Sequence, residues 1–145
     1  MLAVPATHPR AALAGPRSYE EPPEIDIKLF RDTCFVLSSK TTKIRDMTDQ
    51  IFELNNFHPK ILFDSASTST LVNMVQSQVC CAFLPGSYID PAAPMVYFTV
   101  APHYSWTQCV IMLPGTYLTK PEKYLIKLAK LQSNNQLPPF FSAQP

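Results

Sequence analysis

The chain has 145 residues, with 12 Lys and Arg against 11 Asp and Glu and a formal net charge of +1. One domain of that length buries about 70% of the surface its unfolded form exposes, and so small a net charge supplies no field that would draw it onto nucleic acid or an anionic membrane. With only Gly15, Gly86 and Gly115 as glycines there is no Gly-rich phosphate loop, which argues against a P-loop enzyme or a nucleotide-binding dehydrogenase.

In chain order, residues 1–23, "MLAVPATHPRAALAGPRSYEEPP", are rich in Pro and Ala and read as loop. Neither a run of about 20 apolar residues nor a charged-apolar-small signal pattern opens the chain, so the expected setting is the cytoplasm, with no membrane partner. "CFVL" (34–37) is a short apolar strand run; behind it Ile44, Met47, Ile51 and Leu54 recur at helical spacing, with Phe52 alongside. "KILF" (60–63) repeats the strand, "DSASTST" the hydroxyl-rich turn, and Leu71, Met74 and Val75 the helical face. "CCAFLP" (80–85) is a third buried strand, and "MVYFTV" (95–100) and "TQCVIML" (107–113) are two more. An amphipathic stretch, "KPEKYLIKLAKLQ" (120–132), precedes a polar, Pro-rich tail at 133–145 that reads as disordered. Strands alternating with helices of about ten residues predict an α/β fold with parallel pairs and right-handed crossovers.

Four cysteines, Cys34, Cys80, Cys81 and Cys109, lack CxxC spacing, and His8, His58 and His103 stand at no ligand spacing from them. Reduced, mostly buried packing residues are expected, with no metal and no cofactor. Adjacent Cys80 and Cys81 should point to opposite faces of their strand.

The turns carry more hydroxyls than capping needs. Residues 65–70, "SASTST", hold five of them, and "SSKTT" (38–42) four. A strand-to-helix turn leaves the first helical N–H groups unpartnered, and one Ser or Thr satisfies such a group for about 1 kcal/mol. Ser67 is the candidate cap of the second helix, and Thr41 or Thr42 of the first. The surplus lies outside the carboxyl ends of the strands, where open α/β sheets bind ligands and where exposed N–H groups favour an anion. Turn formation alone is the competing explanation.

The stretch from "FRDTCFVL" through "SSKTTKIRDMTDQIFELNNFHPKILFDSASTSTLVNMVQSQVCCAFLPGSYI" resembles the effector-binding domain of LysR-type transcriptional regulators. "THPRA" looks like the family's "HPLA" turn and "LPGTYLTKPEKYLIKLAKL" like its final strand, loop and helix, so the resemblance covers residues 7–132. It implies a periplasmic-binding-protein-like (type II) fold, three-layered with a mostly parallel sheet, in which an effector lies in a cleft between two lobes. Residues 1–23 would be an N-terminal loop or remnant of the first lobe, 24–101 regulatory lobe II, and 102–132 a crossing strand and C-terminal helix returning to lobe I. The fold would then be truncated and would lack the winged helix-turn-helix that reads DNA in this family. No basic recognition helix replaces it, so no direct nucleic-acid contact by this chain is expected.

Carried over residue by residue, the positions after the first strand (Leu37, Ser38, Ser39, Thr41) and the turn before the second helix (Asp64, Ser65, Ala66, Ser67) match where the second lobe faces the cleft. Pro85 and Gly86 match the end of the third strand. The resemblance implies that Ser38, Ser39, Thr41, Ser65, Ala66, Ser67 and Pro85 bind a small, anionic effector. It departs at Gln78-Val79-Cys80, where the family carries Gly-x-Gly, so that side chains replace residues that let backbones approach closely. In the family the helix at 43–55 packs on a partner subunit. Here Arg45, Asp46, Asp49, Gln50 and Glu53 are expected on a solvated outer face, and a homo-oligomer becomes the expected assembly if an apolar patch is left bare.

Two other classes compete with an effector domain. An enzyme would need Cys34, Cys80 or Cys81 beside a His, or a Ser with a His-Asp pair; there is no G-x-S-x-G elbow, and a cysteine inside a strand is poorly placed for attack, so no enzyme is expected. A solute-binding protein for transport shares the fold but would need an export signal.

Overall fold

The alternation of the short apolar runs is what builds the sheet. In the computed structural model, which describes residues 1–16, 18–105 and 109–133, the strands are β1 (Leu2–Pro5), β2 (Cys34–Ser38), β3 (Lys60–Ser65), β4 (Cys81–Phe83) and β5 (Met95–Phe98). They form one five-stranded sheet in the order β3-β2-β4-β1-β5. β2 pairs in parallel with β3 and β4, whereas β1 is antiparallel to both β4 and β5. The sheet is thus mixed, with only β1 reversed.

Because side chains alternate along a strand, β1, β2, β4 and β5 each feed two cores, whereas β3 lies at the edge of the sheet with Ile61, Leu62 and Phe63 exposed. Leu2, Val4, Phe35, Leu37, Cys81, Phe83 and Phe98 face one side with Ile51 and Phe52 of helix α1 (Lys43–Leu54). Ala3, Val36, Ala82, Met95 and Tyr97 face the other with Leu71 and Val75 of helix α2 (Thr68–Gln76). Helix, sheet and helix make the three layers that the element pattern predicts.

Both helices begin and end on local chemistry. Thr42 caps α1 by accepting from the Arg45 N–H, and Ser67 caps α2 by accepting from the Thr70 N–H. At their C-termini, Asn56 (φ 48°) and Gln78 (φ 61°) take the left-handed conformation. Phe57 then donates to the Phe52 carbonyl at 2.8 Å, and Val79 to that of Met74 at 3.2 Å, the six-to-one bond of a Schellman stop. Gln78 therefore occupies a position that glycine fills most easily. The departure from Gly-x-Gly does not hold α2 off the sheet, since Cys80 is buried in the same core as Leu71 and Val75.

Three expectations need correction. Residues 1–23 are not simply loop: Leu2–Val4 are buried in β1, which fills the gap between β4 and β5, and Ala11–Ala14 form a 3-10 turn. A four-residue run ending in Pro, among Pro and Ala, carries too little pattern to stand out alone. Leu54, placed on the apolar face of the first helix, is 68% exposed. Over 109–113 there is no strand, and Ile111 is 87% exposed; β-propensity without a neighbouring strand forms no ladder. Residues 107 and 108 and the tail from 134 lie outside the described residues.

The chain divides into two compact units, Met1–Tyr104 and Ser105–Pro145. In the second, Pro114-Gly115 turns the chain, Gly115 having φ 78°. Helix α3 (Lys120–Ser133) then starts with the carboxylate half of a capping box, the Glu122 carboxylate accepting from both the N–H and the Oγ1 of Thr119. Those hydrogen bonds hold the Glu122 carboxyl below its ordinary pKa.

As expected, Cys80 and Cys81 enter opposite cores. Burial pushes the Cys80 thiol up from 9.0 to about 11 and that of Cys81 higher still. A raised thiol pKa favours the fold below the unfolded value, and that contribution is lost as pH rises through the folded one. Urea midpoints should accordingly fall as the pH is raised from 9 to about 11. Cys80→Ala should start less stable but lose less over that interval; parallel pH profiles for the two proteins would contradict this.

Candidate functional site

The parallel β2–β3 pair brings the two hydroxyl-rich turns together. Ser38 is in register with Ser65, and the Ser39 N–H donates to the Ser65 carbonyl at 2.9 Å. β4 runs parallel to β2 on its other side, so Pro85 leaves the sheet at the same end. The sheet therefore gathers Ser38, Ser39, Thr41, Ser65, Ala66, Ser67 and Pro85 at one edge, beside the N-termini of α1 and α2.

Most hydroxyls there already have local work. Thr42 Oγ1 donates to the Ser39 carbonyl at 2.8 Å, and Ser39 Oγ lies 3.3 Å from Thr41 Oγ1. Ser65 Oγ accepts from the Ser67 N–H at 3.2 Å, while Ser67 Oγ lies 2.8 Å from Ser69 Oγ. Thr41, Ala66 and Ser67 are exposed, Ser39, Ser65 and Pro85 half-buried, and Ser38 buried. The turns consume acceptors, while Thr41 and Ser67 are exposed to solvent. The hydroxyls of Ser67 and Ser69 lie within hydrogen-bond distance of each other, and that of Ser67 also takes a long contact of 3.4 Å from the Thr70 N–H. A ligand could replace the weaker of these bonds.

Arg45 is where the structure departs most from the expected surface. Expected on a solvated face, it is 6% exposed and lies beneath the two turns. Its Nη1 donates to the Ser38 carbonyl at 3.0 Å and to Asp64 Oδ1 at 2.9 Å, and its Nε lies 2.8 and 3.0 Å from the two Asp49 carboxylate oxygens. Burial alone would lower its pKa; the hydrogen bonds and charges of Asp49 and Asp64 outweigh that and hold it above its ordinary value. The legible signal was the spacing of Arg45 from Asp49, i to i+4 on one helix, together with an Asp opening the second hydroxyl turn. Asp46 and Glu53 are exposed as expected.

His8 and His103 are engaged elsewhere. His8 Nε2 lies 2.9 Å from Thr33 Oγ1 with its ring stacked on Phe30, and burial lowers its pKa. His103 pairs with Glu24 at 2.8 Å. Among the described residues no group of three or more His, Cys, Asp or Glu could hold a metal ion.

The chain is similar to several solved structures. The effector binding domain of QuiR in complex with shikimate matches with a TM-score of 0.57 at 17% identity, over 94% of this chain and 62% of that one. The regulatory domain of CcmR from Synechocystis PCC6803, in complex with 2-PG, matches at 0.60 and 12% identity, over 92% and 62%. HinK, a LysR family transcriptional regulator from Pseudomonas aeruginosa, matches at 0.59 and 18%, over 90% of this chain and 43% of that one. The chain thus spans less than two thirds of the length of each. No curated protein matches it in sequence. The family described as LysR substrate binding domain matches residues 2–131. A mixed α/β sheet covered on both faces and a match over nearly the whole chain agree: this chain belongs to the LysR substrate binding domain family, with its type II periplasmic-binding-protein-like fold.

Proposed function

We propose that the chain is the effector-sensing part of a LysR-type transcriptional regulator and binds a small, anionic metabolite at the turns that open α1 and α2. The supporting observation is the pairing of those turns by the β2–β3 ladder, which sets the two hydroxyl-rich turns, and the helix N-termini they open, at the same end of the sheet. Helix N-termini favour negative charge. Asp64, a carboxylate flanking the second turn, is ion-paired with Arg45, which it shares with Asp49. Relatives of this fold are described in complex with shikimate and with 2-PG.

Residues 24–101 act as the second lobe and 102–132 return to the first, with the effector held between lobes by Ser38, Ser39, Thr41, Ser65, Ala66, Ser67 and Pro85. Preference for a closed over an open form shifts subunit geometry in a homo-oligomer. DNA is read by another part of the regulator, not by this chain, in the cytoplasm. Among the described residues no helix is long and apolar enough to cross a membrane.

A thermal melt of the purified chain against carboxylates, shikimate and 2-PG among them, tests this. At 100 times the dissociation constant a ligand adds about 2.7 kcal/mol, a rise of roughly 10 °C for a domain of this size. Ser67→Ala should cost about 1 kcal/mol through the lost cap and, beyond that, shrink the ligand-induced rise. An equal rise in mutant and parent removes Ser67 from the site; a cooperative melt moved by no compound overturns effector binding by this chain.

A further inference from the structure

We infer that Arg45 is the positioning residue of the effector site, a buried guanidinium that binds the turn after β2 and the turn after β3 into one unit. This rests on the effector reading above for its functional meaning, though not for its geometry. A cation taken out of water is costly unless paired, and an apolar side chain would fill the same volume without that cost. Arg45, in the first turn of α1, instead reaches acceptors on three elements: Asp49 on its own helix, the Ser38 carbonyl ending β2, and Asp64 near the end of β3.

The register of β3 has been adjusted to make this possible. Cys34 and Phe35 oppose Lys60 and Ile61, but Val36 opposes Phe63 and Leu37 opposes Asp64, so one residue of β3 is extra at the bulge. Had the register continued without it, Asp64 would stand opposite Ser38 and point to the face of α2, away from Arg45. With the bulge it stands opposite Leu37, whose side chain lies in the core beneath α1. Bulges serve to re-aim side chains in this way. The same shift sets Ser65 opposite Ser38 and permits the bond from the Ser39 N–H to the Ser65 carbonyl. Bulge, Asp64 and Arg45 are therefore one device, and its product is the relative placement of the two hydroxyl turns.

The two carboxylates on Arg45 supply their own control. Asp64 belongs to the site turn and its side chain is 32% exposed; Asp49 lies on α1, away from the turns, and is 53% exposed. Amide hydrogen exchange of the parent chain, Asp64→Asn and Asp49→Asn is the test, with the Val36 amide of β2 as the reference for global unfolding. In Asp64→Asn the Ser39 and Ser67 amides should exchange about tenfold faster relative to that reference, and in Asp49→Asn by less than about twofold. Arg45→Lys, which keeps the charge without the fork, should loosen the same amides as Asp64→Asn and serves as the deciding variant if Asp64→Asn does not fold. Equal loosening by both Asp variants, or none in Asp64→Asn and Arg45→Lys, overturns the assignment. Where a carboxylate binds the parent, Asp64→Asn should weaken it about tenfold and Asp49→Asn by less than about twofold. If no compound binds the parent, the effector reading fails by itself while the exchange pattern still decides the role of Arg45.

Discussion

Phe35→Ala should cost about 3–5 kcal/mol of folding stability, a large part of the 5–15 kcal/mol that a domain of this kind holds in total. Phe35 is fully buried at the middle of β2, edge-on to Phe52 of α1 at 5.8 Å and to Phe57 at 5.7 Å. Phe52 in turn lies 5.3 Å from Phe57 and 5.7 Å from Phe83 of β4. Truncation removes the transfer energy of one ring and its contacts with two others, and leaves a cavity in the core beneath α1. A urea melt should show the midpoint fall steeply with the slope unchanged. Leu54→Ala is the matched control: it lies on the same helix, yet should stay within about 0.5 kcal/mol because its side chain is already in water. Similar losses for the two variants would mean that α1 is not seated on β2 as described.

The same contrast shows what in the fold was legible from sequence. Period-2 and period-3.6 patterns located β2, α1, α2, β4 and β5, because each buries its own stripe and the stripe is local; β3 was located by its apolar run, although Ile61, Leu62 and Phe63 lie exposed at the sheet edge. β1 was hidden because its burial depends on β4 and β5, which follow it by some eighty and ninety residues in the chain. The run at 109–113 misled for the opposite reason: its composition suits a strand, but Ile111 and Leu113 meet no ladder and remain exposed. At the site, the hydroxyl cluster was visible in the sequence. That Ser65 spends its oxygen on the Ser67 N–H was not, since turn geometry decides it. Arg45 was hidden because a charged helical residue is by default a solvent residue, and the register shift in β3 is what adds Asp64 to the Asp49 carboxylate on its own helix.

Gln78 carries the other large effect. Gln78→Ala should cost about 2–3 kcal/mol, and Gln78→Gly about 1 kcal/mol less, reversing the usual advantage of Ala over Gly near a helix. The left-handed φ of 61° is what reverses it, because Ala pays for that conformation and Gly does not. What both variants lose is the carboxamide. Its oxygen accepts from the Thr7 N–H at 3.0 Å and the Thr7 hydroxyl at 2.8 Å, and its nitrogen donates to the Pro94 carbonyl at 2.8 Å and that of Gln76 at 3.0 Å. Those bonds join the end of α2 to the chain leaving β1 and the chain entering β5. A glycine at this position makes the helix stop easy and leaves the end of α2 without these ties to the other two segments, which the Ala6 N–H and the Pro94 carbonyl already join at 3.1 Å; a glutamine makes the ties at the expense of backbone strain. If Gln78→Ala proves as stable as the parent, the ties contribute nothing, and if it exceeds Gln78→Gly, the left-handed stop is not populated in solution. The order parent, Gly, Ala from most to least stable, measured by urea unfolding, is the one that the hydrogen bonds and the φ angle together require.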